Sequence, residues 1–223
     1  MTDTTRDTDV SLDVGGPVLL QVDSSPRVGS VTNALTLAYV DAWNASNPGG
    51  TVIRHDLPAL NLPHLNATEM GAWFVDPQDH TELHSLVLAR SNHLIDDLLS
   101  ADEVVIGAPM WNFSIPSSLK AWIDHVTKAG RTINFGEHGP VGAVTAGRAV
   151  VVSSHGSEYR PGTPTASLDM QEPYLRLILG FLGITDVQVV HVDRQGPNYT
   201  DSDEMFAAAL AQVVALAAPV APR

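Results

Sequence analysis

Residues Glu103 to Lys128 read EVVIGAPMWNFSIPSSLKAWIDHVTK, and their reading decides the fold. Val104-Val105-Ile106 has the composition of a strand buried on both faces of a parallel sheet. The stretch closes with a helix: Pro116 suits a first helical turn, and Leu119, Trp122, Ile123 and Val126 recur at i, i+3, i+4 and i+7. Between strand and helix lies Ala108-Pro109-Met110-Trp111-Asn112-Phe113, too apolar for an ordinary solvated loop. Open α/β sheets bind ligands outside the carboxyl ends of their strands, and this loop leaves such an end. Its Trp and Phe, with the backbone between them, suit a flat aromatic ligand. Trp111 and Phe113 also have a plainer reading as core aromatics, whereas the helical spacing of Trp122 places it in the core.

Working outward, Pro17–Val22 (PVLLQV) reads as a first strand. It runs into Asp23-Ser24-Ser25-Pro26-Arg27-Val28-Gly29-Ser30-Val31-Thr32, followed by helical composition from Asn33 to Trp43. A strand, a hydroxyl-rich loop and a helix start can cradle a phosphate, because free N–H groups and hydroxyls converge there. The simpler account is that Ser30 caps the helix while Ser24 and Ser25 shape the turn. Neither GxGxxG nor GxxxxGK[ST] occurs here, which disfavours a Rossmann dinucleotide and a P-loop nucleotide.

Thr51–Asp56 reads as a second strand, and 57–76 as a long packed loop carrying Leu60, Leu62, Leu65, Trp73 and Phe74, suited to meeting a partner subunit. Residues 77–100 read as a long helix, with His80, His84 and His93 facing solvent and not ligating a metal. The glycines and proline of 132–142 predict turns or a short hairpin. Arg148–Ser153 is a buried strand ending in a second polar loop, Ser153–Ser157, placed to meet the other side of the same ligand. Tyr159–Ala166 reads as surface loop, 171–180 as a helix ended by glycine, 186–192 as a fifth strand and 201–217 as a last helix. Five strands alternating with helices predict a three-layer α/β/α sandwich, flavodoxin-like, with parallel order 2-1-3-4-5.

The chain has 223 residues, 44% of them apolar, enough for one domain over 17–223. A net charge of −13 repels polyanions, which argues against nucleic acid and anionic lipid as partners. With no cysteine there is no disulfide, thiolate metal site or catalytic thiol. Residues 1–16, with five Ser or Thr, four Asp and one Arg, read as a disordered acidic tail and lack the pattern of a signal peptide. No apolar stretch approaches the ~20 residues of a membrane span. The expectation is a soluble, cytoplasmic protein.

Taken together, APMWNFSIPSSLKAWIDHVTKAG, FGEHGPVG and VVVSSHGS resemble the FMN-dependent NADH-azoreductases, relatives of the flavodoxin-like quinone reductases. The likeness runs from Val18 to about Leu216. It implies non-covalent FMN in a homodimer with interface active sites, NADH or NADPH as donor, and a quinone or azo compound as acceptor in ping-pong, two-electron chemistry. By that resemblance the FMN phosphate meets Ser24, Ser30, Val31 and Thr32. The isoalloxazine ring lies against Pro109, Met110, Trp111, Asn112 and Phe113, and its pyrimidine side meets Ser154, His155 and Gly156. The cofactor carries the chemistry, so no protein residue is expected as acid, base or nucleophile.

His155 stands where the family commonly has arginine, and Ser157 where it has glycine. A histidine is expected to be mainly neutral, and so to shift the flavin potential away from that set by a fixed cation. Asp23 brings negative charge near the phosphate loop, with Arg27 to offset it. A flavodoxin-type electron carrier is the alternative of a different class, suited to the acidic surface; a stable one-electron form on titration would favour it. A serine hydrolase lacks its GxSxG elbow.

Overall fold

A computed structural model describes residues 15–218. The acidic tail expected over 1–16 falls almost wholly outside the described residues. Five parallel strands form one sheet in the order β2-β1-β3-β6-β7: β1 (Val18–Asp23), β2 (Thr51–Asp56), β3 (Glu103–Pro109), β6 (Arg148–Ser154) and β7 (Val187–Val192). Counting only these strands, that is the expected 2-1-3-4-5. A separate hairpin, β4 (Ile133–Gly136) with β5 (Gly139–Gly142), fills the stretch whose glycines predicted turns.

Strand alternation sorts the core into two layers. Leu19, Val105, Val150, Val152, Val190 and Val192 pack with Leu35, Tyr39 and Trp43 of α1 (Val31–Ser46) and Ala209 and Val213 of α7 (Ser202–Leu216). On the other face Leu20, Val22, Val104, Ile106, Ala149 and Val151 meet α4 (Glu82–Ser100), α5 (Ser117–Val126) and α6 (Glu172–Leu182). Because helices cover both faces, the central strands β1, β3 and β6 read as apolar runs and not as alternating ones, whereas the edge strands β2 and β7 are mixed. Trp122 is core as expected, and its indole N–H donates to His55 Nδ1 at 3.1 Å.

Several boundaries differ from the sequence reading. The excursion 57–76 contains two short helices, α2 (Leu57–Leu60) and α3 (Ala67–Trp73). Asp56 caps the first, and Asn66 with Glu69 closes a capping box on the second. Pro77–Asp79 is a separate 3-10 turn, and Thr81 caps α4 with His84 reaching back to the Thr81 amide. His80 bonds the Val75 carbonyl. Pro116 is the N-cap of α5, one position before the helix proper. Gly180 lies inside α6, which ends instead at Gly183, whose φ of 115° is the left-handed conformation of a C-terminal cap.

Candidate functional site

The carboxyl ends of β1, β3, β6 and β7 are joined to one another by backbone hydrogen bonds. The Ser24 amide donates to the Gly107 carbonyl at 3.1 Å, Met110 N–H to Ser154 at 2.8 Å, His155 N–H to Val192 at 2.9 Å, and Gly196 N–H to Gly156 at 3.1 Å. Because β1 and β3 are neighbours whose connections leave on opposite faces of the sheet, their loops diverge and leave a crevice. A cavity of about 340 Å³ opens there, lined by Ser25, Arg27, Ser30, Val31 and Gln195 together with the two loops Pro109–Asn112 and Ser154–Gly156. A second cavity, of about 300 Å³, shares Met110, Asn112 and Gly156 with the first and adds Phe113 and Tyr159.

Nine of the twelve residues singled out from the sequence therefore line the first cavity: Ser30, Val31, Pro109, Met110, Trp111, Asn112, Ser154, His155 and Gly156. Phe113 lines the second. Ser24 and Thr32 lie beneath. Ser24 is fully buried and its hydroxyl donates to the Gly107 carbonyl at 2.6 Å. Thr32 is fully buried, 3.0 Å from the Ser30 hydroxyl. Ser30 accepts from the Asn33 amide as the N-cap of α1, which leaves the Val31 end of the helix facing the cavity. The plainer reading of Ser30 as a cap and its place in the crevice hold together.

The β3 loop is a two-residue hairpin. Trp111 N–H donates to the Ser114 carbonyl at 2.9 Å and Ser114 N–H returns to Trp111 at 3.1 Å. Asn112 and Phe113 at its tip both have positive φ, 49° and 69°, a geometry tolerated by Asn and costly for Phe. The Phe113 carbonyl accepts from Met170 N–H at 3.0 Å, which ties the tip to the segment entering α6. Trp111 and Phe113 are 47% and 46% exposed, so neither is a core aromatic.

The charges are arranged differently from the sequence reading. Arg54 on β2 pairs with Asp23 at 3.0 Å, and Thr36 and Gln21 also donate to that carboxylate. Burial still raises the Asp23 carboxyl above its ordinary value, against the lowering effect of Thr36 and Arg54. Arg27 is thus not needed to offset Asp23. Among the described residues its guanidinium has no hydrogen-bond or ion-pair partner, and it is the one lysine or arginine lining the first cavity. The sequence reading gave Arg27 only as an offset to Asp23 and Ser25 only as a turn residue, and did not place Arg27, Ser25, Gln195 or Tyr159 among the site residues. They come from three separate loops, although the serines and arginine beside Ser24 carried a usable signal.

Beneath the β6 loop lies a buried polar cluster. His155 Nδ1 is 2.8 Å from Asp193 Oδ1, Arg160 Nε donates to Asp193 Oδ2 at 2.6 Å, and His155 Nε2 is 3.0 Å from Ser153 Oγ. Burial by itself would raise the Asp193 carboxyl, but the hydrogen bond from His155 and the charge of Arg160 outweigh it and hold the group below its usual range. Burial lowers the His191 imidazole, with the nearby His155 acting in the same direction and Glu172 against it.

The donor set fits a phosphorylated aromatic cofactor. Hydroxyls, a helix start and an unpaired guanidinium stand at one end, and an exposed Met-Trp-Asn-Phe turn at the other. Serine and arginine donors suit a phosphate dianion, and the apolar turn suits a large planar ring.

Comparison with known proteins agrees. A family model described as "Flavodoxin-like fold" matches residues 18–217. The FMN-dependent NADH:quinone oxidoreductase of Ralstonia nicotianae is 45% identical over 184 residues, 81% of this chain and 88% of that protein. The FMN-dependent NADH:quinone oxidoreductase of Nostoc sp. is 41% identical over 177 residues, 78% of this chain and 86% of that protein. Among solved structures, the azoreductase of Bacillus anthracis strain Sterne superposes with a TM-score of 0.82 at 26% identity, over 90% of this chain and 98% of that one. The chain belongs to the flavodoxin-like family, among relatives named as FMN-dependent NADH:quinone oxidoreductases.

Proposed function

We propose that this protein is an FMN-dependent NADH:quinone oxidoreductase that also cleaves aromatic azo compounds reductively. The observation that carries the reading is the crevice at the carboxyl ends of β1, β3 and β6, with phosphate donors at one end and exposed Trp111 and Phe113 at the other. The relatives' names point to the same cofactor and donor.

FMN held here would supply two-electron, hydride-transfer chemistry between NADH and the acceptor. The chain's own residues bind, orient and shield. Ser25, Arg27, Ser30 and the Val31 end of α1 hold the phosphate. Met110, Trp111 and Asn112 present the ring with a surface whose shape is fixed by the hairpin and by the Met170–Phe113 bond. Ser154 and Gly156, with His155 beneath, line the cavity where they would meet the other side of the ring. Ser24 and Thr32 act indirectly, by fixing the first loop onto β3 and the start of α1.

The half-exposed Trp111 and Phe113, with the partly buried Tyr159, leave one side of the crevice open, suited to a flat donor and acceptor in turn. A homodimer belongs to this proposal, with Phe74 at 83%, Leu83 at 58% and Leu86 at 73% exposure as the surface it would cover. A single domain over 17–223 and a cytoplasmic place of action, where NADH is supplied, complete it. No described helix is long and apolar enough to cross a membrane.

The test is NADH oxidation by the purified full-length protein with FMN and a benzoquinone. Turnover that requires all three components is the expected result. Absence of turnover with flavin demonstrably bound would overturn the reductase reading in favour of an electron carrier.

A further inference from the structure

The donors of Gln195, in the loop after β7, are all spent inside the protein. Its backbone N–H donates to the His155 carbonyl at 2.9 Å, and Nε2 of its side chain donates to the carbonyls of Asp193 at 3.0 Å and Ser202 at 3.3 Å. Those two carbonyls decide the amide orientation, because turning it over would set Oε1 against both. No described residue donates to Oε1 or to the Gln195 carbonyl. Gln195 lines the first cavity, so it brings acceptors there and no donor.

The residue is held in that attitude. Arg194, just before it, has a φ of 58°, in the left-handed region that costs a side-chain-bearing residue energy. Its guanidinium donates to Glu158 at 3.1 Å and to Asp201 at 2.7 Å, which fastens the loop after β7 to the loop after β6 and to the start of α7. Gly156 lies alongside. Its carbonyl takes the Gly196 N–H, while its own N–H has no partner among the described residues and it too lines the cavity. A free donor on one loop and a free acceptor on the next match the adjacent C=O and N–H of a cyclic imide.

Sheet order gives the ligand its direction. The phosphate donors of the proposed function follow β1, and Gln195 follows β7, three strands away in the order β1-β3-β6-β7. At roughly 4.8 Å per strand the two loops stand about 14 Å apart along the sheet. The end of FMN far from its phosphate is the ring, and the pyrimidine edge of that ring is an imide, with the N3 hydrogen between two carbonyls.

We propose that Gln195 is a specificity residue for the cofactor's ring, its Oε1 accepting the imide N–H while the Gly156 N–H meets the carbonyl beside it. The assignment rests on the FMN reading of the site. A ring edge that brought no donor would leave Oε1 unpaired once water is displaced, and that mismatch is what makes the wall selective.

The test uses full-length protein with FMN and with 3-methyl-FMN, in which a methyl group replaces the imide hydrogen, and reads binding by quenching of flavin fluorescence. The unmodified protein should bind FMN about tenfold more tightly than 3-methyl-FMN, as the loss of one hydrogen bond with its acceptor left unpaired implies. In Gln195→Met that ratio should fall to about one. A merely structural role for Gln195 would weaken both flavins alike, and a partner elsewhere on the cofactor, such as a ribityl hydroxyl, would leave the methyl penalty equal in the two proteins. An unchanged ratio therefore overturns the assignment.

The second measurement needs no substitution. With FMN carrying 15N at N3, the imide proton of the bound cofactor should move downfield from its position in free FMN and exchange more slowly with water. An imide proton that keeps its free shift and exchange rate would overturn the assignment even if Gln195→Met failed to fold. Failure of the unmodified protein to bind FMN would overturn the functional reading and this assignment with it, whereas FMN binding without discrimination against 3-methyl-FMN would overturn this assignment alone.

Discussion

The amide of Gly196 donates to the carbonyl of Gly156 at 3.1 Å, and a Cβ placed on Gly196 would stand 2.5 Å from that same oxygen. The loop after β7 therefore sets the position of the loop after β6, and glycine is what lets the two backbones approach. Gly196→Ala should displace Gly156, at a cost of about 1–3 kcal/mol typical of overpacking. The expected outcome is a folded protein whose FMN affinity falls about tenfold, read by quenching of flavin fluorescence.

Among the described residues, Arg27 is the one lysine or arginine lining the first cavity, and the proposed function gives it the cofactor's phosphate. Arg27→Gln should weaken FMN about tenfold, the low end for a charge-assisted bond because the side chain is exposed. Riboflavin, which has no phosphate, should bind both proteins equally. Titration of both flavins at low and high salt checks this, since only the FMN difference should shrink with salt.

At the opposite ends of β3 and β6, Arg148 donates to Glu103 at 2.7 Å within a cluster that includes Tyr39 and the Trp43 indole. Burial raises the Tyr39 phenol, as do the charge and hydrogen bond of Glu103 beside it. Removing one partner strands a buried charge, so Arg148→Met should destabilise the fold by about 3–5 kcal/mol. FMN affinity of the folded fraction should stay unchanged, because this pair lies a strand's length from the cavity. Urea unfolding followed with and without flavin measures both.

Stability should fall as pH drops below about 6.5, the ordinary histidine value. Burial lowers His55 and His191 in the folded state, so the unfolded chain takes up those protons first. The stability they contribute is complete above that pH and is lost below it. Asp193, held below its usual range, adds a further loss at more acidic pH, while Asp23, raised by burial, acts in the opposite sense in the carboxylate range. His55→Asn should flatten the change in urea midpoint between pH 7.5 and 5.5.

Much of the fold was legible because the central strands β1, β3 and β6 carry apolar runs followed by hydroxyl-, glycine- or proline-containing turns. The hidden parts depended on contacts. The short helices α2 and α3 are too brief for periodicity and owe their ends to Asp56, Asn66 and Glu69. Gly180 and Gly183 flank Phe181 and Leu182, and what distinguishes them is that Leu182 is fully buried, so the helix continues past Gly180. At the site, the Met110–Phe113 turn showed itself by its apolar composition. Nothing in the sequence showed that the Ser24 hydroxyl is spent on the Gly107 carbonyl, because the two residues are brought together only by the pairing of β1 with β3.

The most direct measurement is a visible spectrum of the protein after addition of FMN and removal of the excess, followed by anaerobic NADH. Retained flavin absorption that bleaches in one step is the predicted result. Failure to retain flavin, or retained flavin that NADH leaves oxidised, would contradict the account.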